Sequence, residues 1–347
     1  MALKELFVPH LGHTVKFGRK RAPHGTRKLQ LSKYLTGALP TPPASCDYTA
    51  KSLPSLTNVY LNDQLGDCVI AGGYHVEGTA TGNATGTPFV ATTAQSVADY
   101  SAIGGYNPNA PLVDGQTPTD QGCDEPTALN YWQNHGFCNG TKLAGWVAVD
   151  PTNKLEVMQA MYLFENLYFG VELPDAWVNP FPSGNGFTWD VGAPDPQNGH
   201  CFIGVGYTAA GVTIDTWGLF GTLTWAAVAA LCSAADGGDL FVMLTPDQLA
   251  KGQAKAPNGF AWADLVADFD AMGGKVTPVA PPAPTPPGPT PPAPTPPAPA
   301  GVTLVQAQTW AAQGLLAAWP MKAGHGPVVL NEAQTWAAAG LKAHWPK

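Results

Sequence analysis

Charge is scarce in this 347-residue chain: 12% of its residues are Asp, Glu, Lys or Arg, against 45% apolar. Such a chain can bury a substantial core, but its surface must be solvated by Ser, Thr, Asn, Gln and Gly more than by ions. Long hydrophobic runs are missing too. None approaches the roughly 20 residues that span a bilayer. The start, MALKELFVPHLGHTVKF, also lacks the apolar stretch and small-residue cleavage site of a secretion signal. The expectation is a soluble protein without a membrane span, cytoplasmic or associated with a virion. No Gly-rich phosphate loop or dinucleotide fingerprint occurs, so no cofactor is expected. Cys123, His135 and Cys138 contain no CxxC pair, which argues against a zinc site. The six cysteines (46, 68, 123, 138, 201 and 232) permit disulfides without demanding them in a chain this size.

Proline and glycine are plentiful, at 35 and 39 residues, and much of the proline lies in one stretch. Residues 276–301 read as a polyproline II spacer, a semi-stiff rod of roughly 3.1 Å per residue. Residues 302–347 hold an internal duplication, TLVQAQTWAAQGLLAAWP (303–320) and VLNEAQTWAAAGLKAHWP (329–346). Each copy suits a short amphipathic helix ended by Trp-Pro. Helices this small bury little, so they either pack on each other or present their tryptophans to a surface or partner protein. Residues 51–275 alternate apolar runs with Gly/Asn/Asp/Pro turns, the pattern of a mixed domain. Residues 1–50 read as a basic, Pro-rich arm. Eight of the 17 Lys and Arg lie in the first 33 residues with Glu5 as the only acid, although the chain carries −8 overall. Such an arm suits an acidic surface, whether a nucleic acid, an anionic envelope or the body itself; the plainer reading is a solvated tail.

Three segments carry chemistry. Asn62-Asp63-Gln64-Leu65-Gly66-Asp67-Cys68 is a turn opening into a small, apolar, helix-like run. A cysteine there sits at a helix N-terminus, where the dipole and free N–H groups favour a thiolate and can hold an oxyanion. Gln64, just upstream, is a candidate second donor. His75, seven residues after Cys68 on the same run, reads as a helix-face residue. Asn198-Gly199-His200 delivers a histidine onto a strand ending at Gly206-Tyr207, and Gly211 to Gly218 follows after a short turn. Hairpin pairing of these two runs brings Asp215 alongside His200. Thiol, imidazole and orienting group are what nucleophilic catalysis by cysteine requires. His200 follows Cys68 by 132 residues and Asp215 by 147.

Gln-Leu-Gly-Asp-Cys, Gly-His-Cys-Phe-Ile-Gly-Val-Gly-Tyr and Asp-Thr-Trp-Gly resemble the corresponding blocks of papain-like cysteine peptidases. In those enzymes the later partners lie roughly 130–150 residues after the cysteine. Gln121 to Glu125 with Ala128 to Trp132 resembles the middle helix of compact bacterial and phage members. The resemblance covers roughly residues 55–245. It implies an α+β, two-lobed fold, with a helical lobe bearing Cys68 and a β-rich lobe bearing His200 and Asp215. It also makes Gln64 the oxyanion donor and Trp217 the shield over the histidine's contact. The usual Asn is Asp215 here, and Val69 replaces the usual aromatic after the nucleophile.

The leading expectation is therefore a peptidase acting on a peptide or protein substrate through a thioester at Cys68, with His200 as base. A cell-wall amidopeptidase uses the same residue order. A non-catalytic structural or attachment protein, possibly of a virion, would reuse the fold with an inert Cys68.

Overall fold

The computed structural model describes residues 3–37 and 39–273. The basic N-terminal region begins with a hairpin, β1 (Glu5–Val8) and β2 (His13–Lys16), and later gives β3 (Cys46–Asp47). Helices come next: α1 (Leu53–Leu56), α2 (Cys68–Thr85), α3 (Thr93–Gly104) and α4 (Glu125–Asn134). Strand β4 (Gly145–Ala148), α5 (Lys154–Phe164), β5 (Leu167–Glu172), α6 (Asp175–Val178) and β6 (Phe187–Trp189) follow. The meander β7 (Gly199–Tyr207), β8 (Gly211–Thr216) and β9 (Leu219–Thr224) leads to α7 (Trp225–Leu231) and β10 (Asp239–Leu244), then α8 (Pro246–Lys255) and α9 (Trp262–Ala271).

The sheet runs β4-β10-β5-β7-β8-β9-β6, with β3 also pairing β7. Its central strands are buried on both faces, which is why they read as near-continuous apolar runs. Side chains alternate between two cores. On β7, Phe202 joins the core that includes Phe169, Val171, Trp189 and Leu240, whereas Cys201, Ile203 and Val205 join the core under α2. Helix α2 lies close against the sheet because Gly72 leaves room for Tyr168 and Cys201; a Cβ there would stand 2.8 Å from the tyrosine ring. Full burial of Val69 and Ile70 on this helix contributes on the order of 2 kcal/mol each. Helix starts follow local chemistry: Thr92 with Gln95 and Thr245 with Gln248 form capping boxes, and Asp124 accepts from the amide of Thr127.

The expected α+β class is what the chain adopts, with a helical portion (53–134) ahead of the strand-rich one. The N-terminal region is not a solvated tail. Residues 3–37 and 39–50 group with the body in one compact unit. Val8, Val15 and Leu31 are fully buried in its core. The acids that the basic residues meet are the body's own: Lys4 pairs with Asp175 and Asp195, Lys16 with Asp120, Arg19 with Glu125 and Asp239, Arg21 with Glu172, and Lys28 with Asp239. The spacer and the Trp-containing repeats expected in 276–301 and 302–347 lie outside the described residues. Among the described residues, no helix is long and apolar enough to cross a membrane, and no group of three or more His, Cys, Asp or Glu side chains is placed to hold a metal.

Candidate active site

Cys68 is the first residue of α2, as its position after a Gly-Asp turn led one to expect. Its thiol is wholly buried, against the backbone amides of Cys201 and Gly18. Burial pushes its pKa up to about 12, so it rests as a neutral thiol. All six cysteines are free thiols.

His200 lies near the start of β7, also wholly buried. Its Nε2 is hydrogen-bonded to Thr216 Oγ1 at 2.8 Å. Its ring stacks on Trp217, centroids 3.9 Å apart and planes within 9°. Trp217 is held there in a left-handed backbone conformation, φ 51°, at the turn from β8 to β9. Nδ1 is buried and has no hydrogen-bond partner. Burial lowers the histidine's pKa to about 3, so the imidazole rests neutral. No hydrogen bond joins His200 to Cys68, although Cys201, whose amide lies against the thiol, is the next residue along the strand.

Asp215 does not lie beside His200. It stands opposite Ile203 in the β7–β8 ladder, on the face that meets α2, and its Oδ2 is 3.2 Å from Nδ1 of His75. The cause is a bulge in β7: Tyr207 pairs Val212 and Gly206 pairs Thr213, but Gly204 pairs Ile214. One extra residue reverses which face each later residue occupies. An unbulged hairpin would have put Asp215 on the face of His200; the bulge puts Thr216 there instead. His75 is thus more than a helix-face residue. Its Nε2 is 2.8 Å from the carbonyl of Asn58, which can only accept, so Nε2 carries the proton. Burial lowers its pKa to about 4 and raises that of Asp215, both shifts running against an ion pair.

Gln64 is exposed, and no side-chain hydrogen bond holds it. Two residues earlier, Asn62 is 4% exposed and its Nδ2 is a buried donor without a partner. Two left-handed residues precede it, Tyr60 (φ 51°) and Leu61 (φ 69°), a costly conformation for bulky side chains that turns the loop inward. Thr216 and Asn62 escaped sequence reasoning. The bulge hid the first, and the amide of Gln64, nearer to Cys68, masked the second.

The segment Phe17–Lys20 closes the site. The amide of Arg19 donates to the carbonyl of Gly199 at 3.0 Å, that of Cys123 donates to Gly18 at 3.1 Å, and that of Lys20 donates to Cys123 at 2.9 Å. The fit leaves no room for side chains: a Cβ on Gly18 would stand 1.9 Å from the carbonyl oxygen of Gly66, and one on Gly122 1.8 Å from that of Gly18. Phe17 meets the edge of Trp217 with centroids 6.3 Å apart. The strand therefore covers the residues before the thiol, the residue before the histidine, and the indole over the imidazole.

No family model and no curated protein matches this chain. Among solved structures, xylellain, a cysteine protease from Xylella fastidiosa, is similar with a TM-score of 0.50 at 13% identity, over 66% of this chain and 96% of that one. Digestive procathepsin L 3 of the Tenebrio molitor larval midgut is similar with a TM-score of 0.45 at 12% identity, over 66% and 76% of the two chains. At these identities the likeness is one of fold, and the fold is papain-like.

Proposed function

We propose that this chain is a papain-type cysteine peptidase, in a closed resting state, with Cys68 as nucleophile and His200 as base. The observation that carries the reading is the histidine. Its Nε2 is fixed on Thr216 under a stacked indole, while Nδ1, the nitrogen left to take a proton, is buried and unpartnered. In a neutral ring with Nε2 donating, Nδ1 is a bare acceptor. On opening, the thiol proton passes to Nδ1 and the thiolate adds to a peptide carbonyl at the start of α2. The tetrahedral oxyanion collapses to a thioester as the amine takes the proton from His200; water, deprotonated by the same nitrogen, then releases the acid. In this scheme Thr216 rather than Asp215 orients the base, and Asn62 rather than Gln64 is the side-chain donor to the oxyanion. A papain-like fold shared with a solved cysteine protease supports the assignment.

The competing reading is a peptidase-like protein without catalysis, favoured by the complete burial of Cys68 beneath a strand that belongs to the core. Alkylation of Cys68 by iodoacetamide between pH 4 and 9, read by mass spectrometry, separates the two. A thiolate–imidazolium pair labels well below pH 8 and loses at least tenfold in rate in His200→Ala. Labelling that rises only near pH 8.5, alike in both proteins, belongs to an unactivated thiol and sinks the peptidase.

A further inference from the structure

Besides its main-chain hydrogen bonds, the segment that closes the site is anchored by a buried side chain. The Arg19 side chain is 1% exposed and each of its guanidinium nitrogens donates to the body: Nε to Glu125 at 2.9 Å, Nη2 to Asp239 at 2.9 Å, and Nη1 to the carbonyl of Gly237. Glu125 is fully buried and begins α4, the helix directly after the Cys123 edge on which the strand pairs. Gly170 of β5 makes room for this fork, since a Cβ there would stand 1.9 Å from Glu125 Oε1 and 2.8 Å from Arg19 Nε. A planar donor met by a carboxylate, a second carboxylate and a carbonyl is the geometry that distinguishes arginine from lysine.

We propose that the groove beside Cys68 is a site for an arginine-bearing peptide strand, read by Glu125 and Asp239, and that Phe17–Lys20 is its resident occupant. The main-chain partners are the carbonyl of Gly199 and both polar groups of Cys123, which accept any extended peptide regardless of sequence. Selectivity falls to the guanidinium. When Arg19 leaves, Lys28 still faces Asp239, but Glu125 keeps no cation. Burial already raises the pKa of Glu125 beside Arg19, so a site that loses its guanidinium is neutralised by a proton, and an arginine-bearing peptide is favoured over a neutral one by the paired hydrogen bonds it restores. The resident is also not a detachable leader. Val15 and Phe17 before it, and Leu29 and Leu31 after it, are buried in the main core, so the strand opens by local displacement. This inference deepens the peptidase reading by naming its substrate class, and rests on that reading only for what becomes of the bound peptide.

The test uses the full chain, Arg19→Ala and the milder Arg19→Lys, with Cys68 alkylation followed at pH 9, where any exposed thiol reacts. Arg19→Ala should label at least tenfold faster than the parent, and Arg19→Lys should fall between them. A blocked peptide of sequence VKFGRKR, the run from Val15 to Arg21, should return the Arg19→Ala rate to within twofold of the parent. The same peptide with Gln for its first arginine should need at least tenfold more to do so. Unchanged labelling in folded Arg19→Ala, or equal protection by the two peptides, would overturn the proposal. Should Arg19→Ala fail to fold, the same two outcomes are read on Arg19→Lys. Arginine-dependent protection of a thiol that never labels below pH 8 would leave the peptide site standing and remove the peptidase.

Discussion

Two buried imidazoles lie on opposite faces of the β7–β8 hairpin, and their surroundings differ in one respect. His75 has a group facing each nitrogen, the carbonyl of Asn58 at 2.8 Å and Asp215 at 3.2 Å, and it joins α2 to the sheet. His200 has a partner on Nε2 alone, with Nδ1 bare and an indole stacked on its face. In the proposed scheme the bare nitrogen of His200 is the one that takes the proton, so the pair His75–Asp215, although made of catalytic residue types, serves to join helix to sheet, and the less conspicuous pair His200–Thr216 carries the chemistry.

The largest expected effects test that division directly. Loss of a general base typically costs 10²–10⁴ in rate, so His200→Ala should lower thioester formation with a small activated ester by about 10³, beyond the destabilisation that loss of a buried ring stacked on Trp217 brings. His75→Ala should bring the destabilisation without the loss of rate. Removing a buried ring and leaving Asp215 and Asn58 without it should destabilise the protein by about 2–4 kcal/mol in denaturant titration, with labelling of the folded protein unchanged. If His75→Ala silences a stably folded enzyme, the comparison fails.

Next in size is the oxyanion donor. Loss of one such donor costs about 10²–10³ in the acylation step. Iodoacetamide alkylation forms no oxyanion, so the ratio of acylation to alkylation cancels differences in how often the site opens. Asn62→Ala should lower that ratio about 100-fold, with Asn62→Asp as an isosteric control that also lacks the donor. Gln64→Ala should leave it within twofold. A drop confined to Gln64→Ala would restore the donor that the sequence favoured.

Smaller again is the orienting contact. Thr216→Val keeps the shape but removes the hydroxyl on Nε2, which should cost about tenfold in acylation at pH 7 through a less well-held ring. Asp215→Asn should change acylation less than twofold. The opposite ranking would mean that the hairpin opens and re-registers in the working enzyme.

The misassignment of Asp215 shows where the sequence stopped being legible. Both strands, their turn and the helix at Cys68 could be read from apolar runs and Gly/Asp punctuation, because those signals are local, whereas the α+β class came from the resemblance of the motif blocks to papain-like peptidases. The bulge at Gly204–Gly206 could not, since Gly-Val-Gly is compatible with an unbroken strand as well as a bulged one. A shift of one residue there swaps every partner across the hairpin. The arm failed for a different reason. Its charge suggested a solvated tail, but the acids that neutralise it are 106 to 220 residues away for Arg19, and no local pattern announces a pairing that distant. Asn62 lost to Gln64 because burial, not residue type, decides which amide faces inward.

The smallest effect is a slope, and it tests whether the His75–Asp215 pair is neutral or ionic. Burial lowers the pKa of His75 to about 4, while an unfolded histidine titrates near 6.5. Between these values the unfolded chain binds a proton that the folded protein refuses. The stability due to neutral His75 is therefore fully present above about pH 6.5 and is lost as the pH falls toward 4, by up to about 1.4 kcal/mol per pH unit. His200, lowered to about 3, acts in the same direction. Glu77, raised by burial to about 7, acts in the opposite one: its contribution is greatest below about pH 4.5 and is lost as the pH rises through 7. The whole-protein curve mixes these slopes, but the difference between the parent and His75→Ala isolates one of them, because the cavity left by the ring is independent of pH. That difference should shrink as the pH drops from 6.5 to 4. If it grows instead, the folded pKa of His75 is raised, Asp215 is ionised, and the sheet carries a charged pair beneath the catalytic hairpin.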